Sequence, residues 1–298
     1  MCAFSDCVDL ESVIILGNIT KLDYSTFRGC SSLKEVVLPN CLVELDVFVF
    51  TGCSSLKEII IPGSVKNIGH YTFKDCLSLE ILTLSEGCTS LGIYTLHGCD
   101  NLLVLNLPST LTFIGANVFQ GCNNIRTINI GGNKYFEVVD NALVSYGKIV
   151  YTMGNKISSD DSVTRLQEYA YYYNLSLTQI DVPSNITIIS KGVFNNCRNL
   201  EKVTLNVGLR DIGSYAFANC HKLTEITIPE GVKSIGYGAF VGSGLTKVYL
   251  PKTLQYLDKN AFLGIENLEI IIDEDNPFYK LVDGVLINTI TNENALAE

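Results

Sequence analysis

Phe27-Arg28-Gly29-Cys30-Ser31-Ser32-Leu33-Lys34-Glu35-Val36 recurs as Phe50-Thr51-Gly52-Cys53-Ser54-Ser55-Leu56-Lys57-Glu58-Ile59, 23 residues later. The phase extends in both directions. Phe4, Phe27, Phe50, Phe73, Leu96 and Phe119 are evenly spaced, and after an interruption Tyr171, Phe194, Phe217 and Phe240 resume the step. Phe262 follows after 22 residues, which places a one-residue deletion near Gly242-Ser243-Gly244. Self-similarity at such a period marks a repeat architecture.

Further columns share the phase. Three residues after the aromatic anchor stand Cys7, Cys30, Cys53, Cys76, Cys99, Cys122, Cys197 and Cys220. Six after it stand Leu10, Leu33, Leu56, Leu79, Leu102, Ile125, Leu177, Leu200 and Leu223. Nine after it come β-branched or Leu residues from Val13 and Val36 through Ile226 to Ile271. Pro39, Pro62, Pro108, Pro183 and Pro229 then end the strand, and a second short apolar stretch runs into Gly69, Gly92, Gly115, Gly213 or Gly236, replaced elsewhere by Asp23, Asp46 or Asp258. Gly and Asp tolerate positive φ, so this last column is expected to bend the chain there. No single unit of this length can bury its own apolar columns. Stacking at the roughly 4.8 Å strand spacing turns each column into a buried ladder. No helical periodicity of useful length appears. The expected product is a β-rich α/β solenoid.

The run Ile212-Gly213-Ser214-Tyr215-Ala216-Phe217-Ala218-Asn219-Cys220-His221-Lys222-Leu223-Thr224-Glu225-Ile226-Thr227-Ile228-Pro229 resembles the BspA-like (treponemal-type) leucine-rich repeat, and the resemblance covers nearly the whole chain. It implies a right-handed leucine-rich-repeat superhelix with a parallel concave sheet and short convex strands and turns. It also implies a secreted or surface-displayed protein, with members linked to adhesion and to binding host matrix proteins.

From Phe119 to Tyr171 the spacing is 52 residues. Asn133-Lys134-Tyr135-Phe136 to Ser145 is similar to Asn276-Pro277-Phe278-Tyr279 to Asn288, and both blocks carry a hairpin dipeptide, Asp140-Asn141 or Asp283-Gly284. The expected organisation is repeats over 1–130, a β-hairpin insertion over 131–161, repeats over 162–275, and a second hairpin block, cap or truncated end over 276–298. The insertion is expected to project from or cap the first five or six turns. The ends read as those of an excised fragment, or of a short member capped by its second hairpin.

Eight of eleven cysteines share one column, so they stack along the axis instead of converging on an ion. Their parallel vectors suit neither disulfides nor metal; buried thiols acting as small hydrophobes is the expectation. Cys2, Cys41 and Cys88 lie off the column and are expected to be exposed. His70, His97 and His221 fall in three different phases and share no stripe. No nucleophile elbow, phosphate loop or zinc-protease motif is present. Asp273-Glu274-Asp275-Asn276 lacks the Gly and distal Glu of a calcium loop and reads as a solvated turn. The sequons at Asn18, Asn174 and Asn185 read as chance matches. No catalytic residue, metal site or cofactor is expected.

The formal net charge of -10 argues against nucleic acid and anionic lipid as partners. No apolar run approaches a membrane span, and Met1 to Asp6 lacks the pattern of a signal peptide. Chemistry is therefore sought on the exposed concave face. Strand alternation turns Glu35, Glu58, Ile81, Val104 and Thr127 outward in one column, and Val37, Ile60, Thr83, Asn106 and Asn129 in the next. Val37, Ile60, Ile81 and Val104 are expected to form an apolar strip with an acidic edge at Glu35 and Glu58. The functional expectation is a non-enzymatic protein-binding module, adhesin-type and extracellular or at the cell surface by the resemblance. An intracellular protein-binding scaffold suits the unpaired cysteines, and a carbohydrate-active solenoid enzyme is the third reading.

Overall fold

A computed structural model of the chain describes residues 2–296; Met1 and residues 297–298, the extremities of the first and last expected blocks, lie outside it. The chain is a parallel-strand β-solenoid of about eleven turns, and no helix occurs among the described residues. The α/β part of the expectation is thereby corrected: short turns occupy the side opposite the long strands. Two compact units divide at Val138 and Val139.

In the first unit each turn contributes one three- or four-residue strand and one two-residue strand. The short strands Lys21–Leu22, Glu44–Leu45, Asn67–Ile68, Ser90–Leu91 and Phe113–Ile114 form an unbroken parallel sheet, with Leu22, Leu45, Ile68 and Leu91 in one row. The long strands form two parallel groups. Ser12–Ile14 pairs with Glu35–Val37, while Glu58–Ile61, Ile81–Leu84, Val104–Asn106 and Thr127–Asn129 form a separate sheet of four. Every pairing runs at 23 residues, for instance Ile59 with Leu82 and Leu82 with Leu105. Each proline of the strand-ending column starts a tight turn closed by a backbone bond three residues on, as in Leu42 N–H to the Pro39 carbonyl (3.0 Å) and Val65 N–H to that of Pro62 (3.0 Å).

The aromatic anchors stack as parallel-displaced rings. Phe4, Phe27, Phe50 and Phe73 follow one another at 5.4, 5.6 and 5.6 Å between centroids. Each such contact adds roughly 0.5–1.5 kcal/mol to the area it buries. Leu96 then takes the anchor position, buried like Phe27, Phe50 and Phe73.

The second unit begins with an antiparallel pair, Ala142–Ser145 with Lys148–Thr152, entered through Asp140 and Asn141 and joined through Tyr146 and Gly147. All four turn residues have left-handed φ, of 48°, 63°, 50° and 71°. That is the geometry for which such hairpin dipeptides are chosen. Lys148–Thr152 then pairs in parallel with Arg165–Leu166, so the meander supplies the preceding rung for a short strand of this unit. Ala142, Val144 and Ile149 join the core that contains Tyr171, Phe194 and Phe217. The hairpin part of the insertion thus packs into the turns that follow it. At the other end Tyr279–Val282 and Val285–Asn288 make a second hairpin through Asp283 and Gly284. Its Tyr279 hydroxyl accepts from Leu257 N–H (2.9 Å), covering the last short strand, Tyr256–Leu257.

Both hairpin blocks are introduced by the same device. The Asn133 amide donates to the carbonyls of Pro108, Ser109 and Leu111, while its oxygen accepts from Tyr135 and Phe136 N–H. Asn276 does the same with Pro251, Leu254, Phe278 and Tyr279. This explains why the two blocks look alike in sequence from their first residue onward.

Two expectations change in register and conformation. Val248 pairs with Ile270, so Ile270 and not Ile271 continues the inward column; the last two strand pairings both run at 22 residues, so a second residue is missing between Phe262 and Ile270, and this exchanges the faces expected of the last strand. The glycine column is also not where φ becomes positive. Left-handed residues stand two places later, at Ser25, Phe48, Tyr71, Tyr94 and Asn117. The glycines are needed for close approach instead. A Cβ on Gly69 would sit 2.5 Å from the carbonyl carbon and oxygen of Asp46, and one on Gly115 would sit 2.7 Å from Ile93 N. Gly69→Ala is therefore expected to destabilise the first unit by about 1–3 kcal/mol in urea unfolding, while Gly131→Ala, with nothing within 4 Å, stays within about 0.5 kcal/mol of wild type.

Candidate functional site

The outward columns of the first unit's long strands are where the sequence placed a binding face. Glu35, Val37, Glu58, Ile60, Thr127 and Asn129 are exposed, whereas Ile81, Thr83, Val104 and Asn106 are half-buried. Register places Ile81 opposite Glu58 and Val104, and Thr83 opposite Ile60 and Asn106. The apolar residues therefore do not form one straight row. Val37 and Ile60 occupy one column, Ile81 and Val104 the other, and the change of column coincides with a loss of exposure. Beyond Ile60 its column turns polar. The Asn106 amide donates to the Thr83 hydroxyl (2.9 Å) and that of Asn129 to the Asn106 oxygen (2.7 Å). These bonds tie the side chains into a ladder along the sheet.

At the opposite end of the same face the ladder lapses. No ladder hydrogen bonds join Glu35–Val37 to Glu58–Ile61 among the described residues, although each strand pairs with its other neighbour. A groove of about 600 Å³ runs along this seam. Val37 (44% exposed) and Ile60 (56% exposed) supply its apolar surface together with Leu38 and Pro62, and Glu35, Glu58, Lys34 and Lys57 bring charge to it. Sequence reasoning found the glutamates and the two apolar residues. It missed the seam itself and the two lysines.

The profile of the BspA type leucine rich repeat region matches residues 1–126 and 151–274, in six copies. The chain belongs to that family. Among solved structures, a leucine rich cell surface protein from Faecalibacterium prausnitzii superposes with a TM-score of 0.73 at 25% identity, covering 91% of this chain and 75% of its own. The pneumococcal vaccine antigen PcpA gives a TM-score of 0.73 at 21% identity over 89% of this chain and 75% of its own, a likeness of fold. A leucine-rich repeat protein from Bacteroides ovatus gives 0.52 at 20%, covering 90% of this chain and 80% of its own. A comparison with curated proteins found no match.

The cysteines of this BspA-type repeat have a definite task. From Cys30 onward each ladder thiol donates to the carbonyl of the anchor residue one turn earlier, as in Cys53 to Phe27 (3.2 Å), Cys76 to Phe50 (3.2 Å), Cys99 to Phe73 (3.0 Å), Cys197 to Tyr171 (3.0 Å) and Cys220 to Phe194 (3.2 Å). They act as weak donors as well as small apolar groups. Cys88, expected at the surface, is buried and points at the Pro62 carbonyl (3.7 Å), while Cys7 at the start of the column is exposed. All eleven are free thiols. Among the described residues no group of three or more His, Cys, Asp or Glu side chains could hold a metal ion. Of the histidines, His70 accepts from Ile93 N–H across the turn (2.7 Å), and burial lowers the pKa of His97 against the opposing pull of Asp75.

Burial disfavours thiolate, and all eight buried cysteines are pushed up from the usual 9, Cys88 to about 11 and Cys99 and Cys220 to about 12. A raised folded-state pKa means that the folded chain holds the proton more tightly. Their stabilising contribution is complete below pH 9 and is lost as pH climbs through 11 and 12. Stability measured by urea unfolding should therefore decline on the alkaline side. With an aromatic disulfide reagent near neutral pH, Cys2 and Cys7 should react at once and Cys41 more slowly, the remaining eight only on unfolding.

Proposed function

We propose that the protein is a non-enzymatic binding module of the adhesin type, displayed at the surface of a bacterial cell or secreted, and that it engages host or neighbouring-cell proteins. The observation that carries this reading is the exposed pair Val37 and Ile60 on adjacent long strands. Aliphatic side chains there contribute nothing to the core and are held fixed for a partner. The face consists of Glu35, Val37, Glu58, Ile60, Ile81, Thr83, Val104, Asn106, Thr127 and Asn129. Family membership supports protein binding, and the Faecalibacterium relative is described as a cell surface protein.

Extracellular exposure and eleven free thiols conflict less than the count implies. Eight are buried and hydrogen-bonded or packed, and their raised pKa values make them poor partners for disulfide exchange.

The purified chain, immobilised and exposed to a panel of extracellular-matrix proteins, is expected to capture at least one. Val37→Asp with Ile60→Asp should weaken that capture about tenfold or more, equivalent to ~1.4 kcal/mol, without shifting the urea midpoint. Undiminished capture by this variant removes the face from consideration.

A further inference from the structure

The seam between Glu35–Val37 and Glu58–Ile61 has a chemistry distinct from the rest of the face. We infer that it receives an extended peptide segment of the partner, in which a basic side chain, arginine for preference, lies between aliphatic ones. This rests on the face being the binding surface and specifies what that surface takes.

Two observations converge on such an occupant. The first is charge. Neither Glu35 nor Glu58 has a cationic partner among the described residues, while Lys34 on the same rim is already held by Glu11 at 3.0 Å. Two carboxylates at equivalent positions of consecutive turns are thus left to an outside cation. A planar guanidinium satisfies carboxylates through paired donors better than an ammonium does. The net charge of -10 attracts the same class of ligand at longer range.

The second is shape. Val37 and Ile60 stand one strand position beyond the glutamates on the same face, with Leu38 and Pro62 also lining the groove. A ligand that places a cation at Glu35 and Glu58 therefore sets its next outward side chain on apolar surface. Lys57, which has no carboxylate partner among the described residues, can donate to a carbonyl of that segment.

The chain contains no Trp, so a peptide bearing a single Trp reports its own binding by fluorescence. The probes are Trp-Gly-Val-Arg-Ile-Arg-Val and the same peptide with Glu at both Arg positions. The basic peptide is expected to bind at least about tenfold more tightly than the acidic one, and less tightly as salt is raised. Glu35→Gln with Glu58→Gln should cut affinity for the basic peptide about tenfold, whereas Glu274→Gln, an exposed glutamate elsewhere, should leave it unchanged. Equal affinity for the two peptides, no binding of either at about 1 mM, or an unaffected glutamine variant overturns the inference. If the Val37 and Ile60 variant nevertheless loses its matrix partner, the face stands and only the basic segment falls. If that variant keeps the partner, the face itself falls.

Discussion

Everything in this molecule depends on one turn lying directly over the last. A lone 23-residue turn has an apolar side and no interior. Only when Phe50 stacks on Phe27 and Leu82 pairs beside Ile59 do those side chains leave water. The requirement acts on each position separately, because a residue meets its own counterpart above and below. It therefore repeats the same residue type along the chain, and it rejects whatever its neighbour cannot accommodate.

Cysteine answers that demand in the anchor turn. The anchor carbonyl already accepts an N–H from its own turn, such as Cys30 N to Phe27 (3.2 Å), and it still faces the next turn's interior. A buried carbonyl with a spare lone pair gains from a donor. The space between stacked turns admits a short side chain with no further polar atom to satisfy. A thiol is small, apolar enough to be buried, and able to donate. Cys53 meets Phe27 at 3.2 Å, and the arrangement recurs in both units. Thiols so placed are kept protonated by burial, so the same feature that closes the turn also withholds them from chemistry.

The columns were legible in the sequence for the same reason. Ring anchors, leucines, prolines and cysteines each report a contact between equivalent positions, and spacing alone recovers them. What escaped was anything set by a residue's relation to a different position. The glycine column looked like a bend because Gly accepts positive φ; in fact Gly69 is constrained by the Asp46 carbonyl beside it, and the left-handed residues are Phe48, Tyr71 and others whose side chains give no hint of it. Cys88 is off the ladder by spacing yet buried. The one-residue deletion near Gly242 was found, but a second one between Phe262 and Ile270 emerged only from the pairing. On the face proposed for binding the outward residues were identified from alternation, while the lapse in the ladder was not, because an absent set of ladder bonds leaves no periodic trace.

That asymmetry bears on where specificity can reside. Inward positions are fixed by their counterparts, so a family built on this turn keeps them alike and has little freedom there. Outward positions obey no such rule: Glu35 and Glu58 are followed in their column by Ile81, Val104 and Thr127, and Val37 and Ile60 by Thr83, Asn106 and Asn129. The Asn106–Asn129 bonds use up polar groups within the sheet, and half-burial limits what Ile81 and Val104 can offer. At the seam exposure and unspent chemistry coincide, because the ladder is interrupted and the carboxylates lack partners. A scaffold whose interior is the same at every turn differentiates itself through its outward positions, and in the first unit exposed aliphatic side chains and unpaired carboxylates meet between Val37 and Glu58.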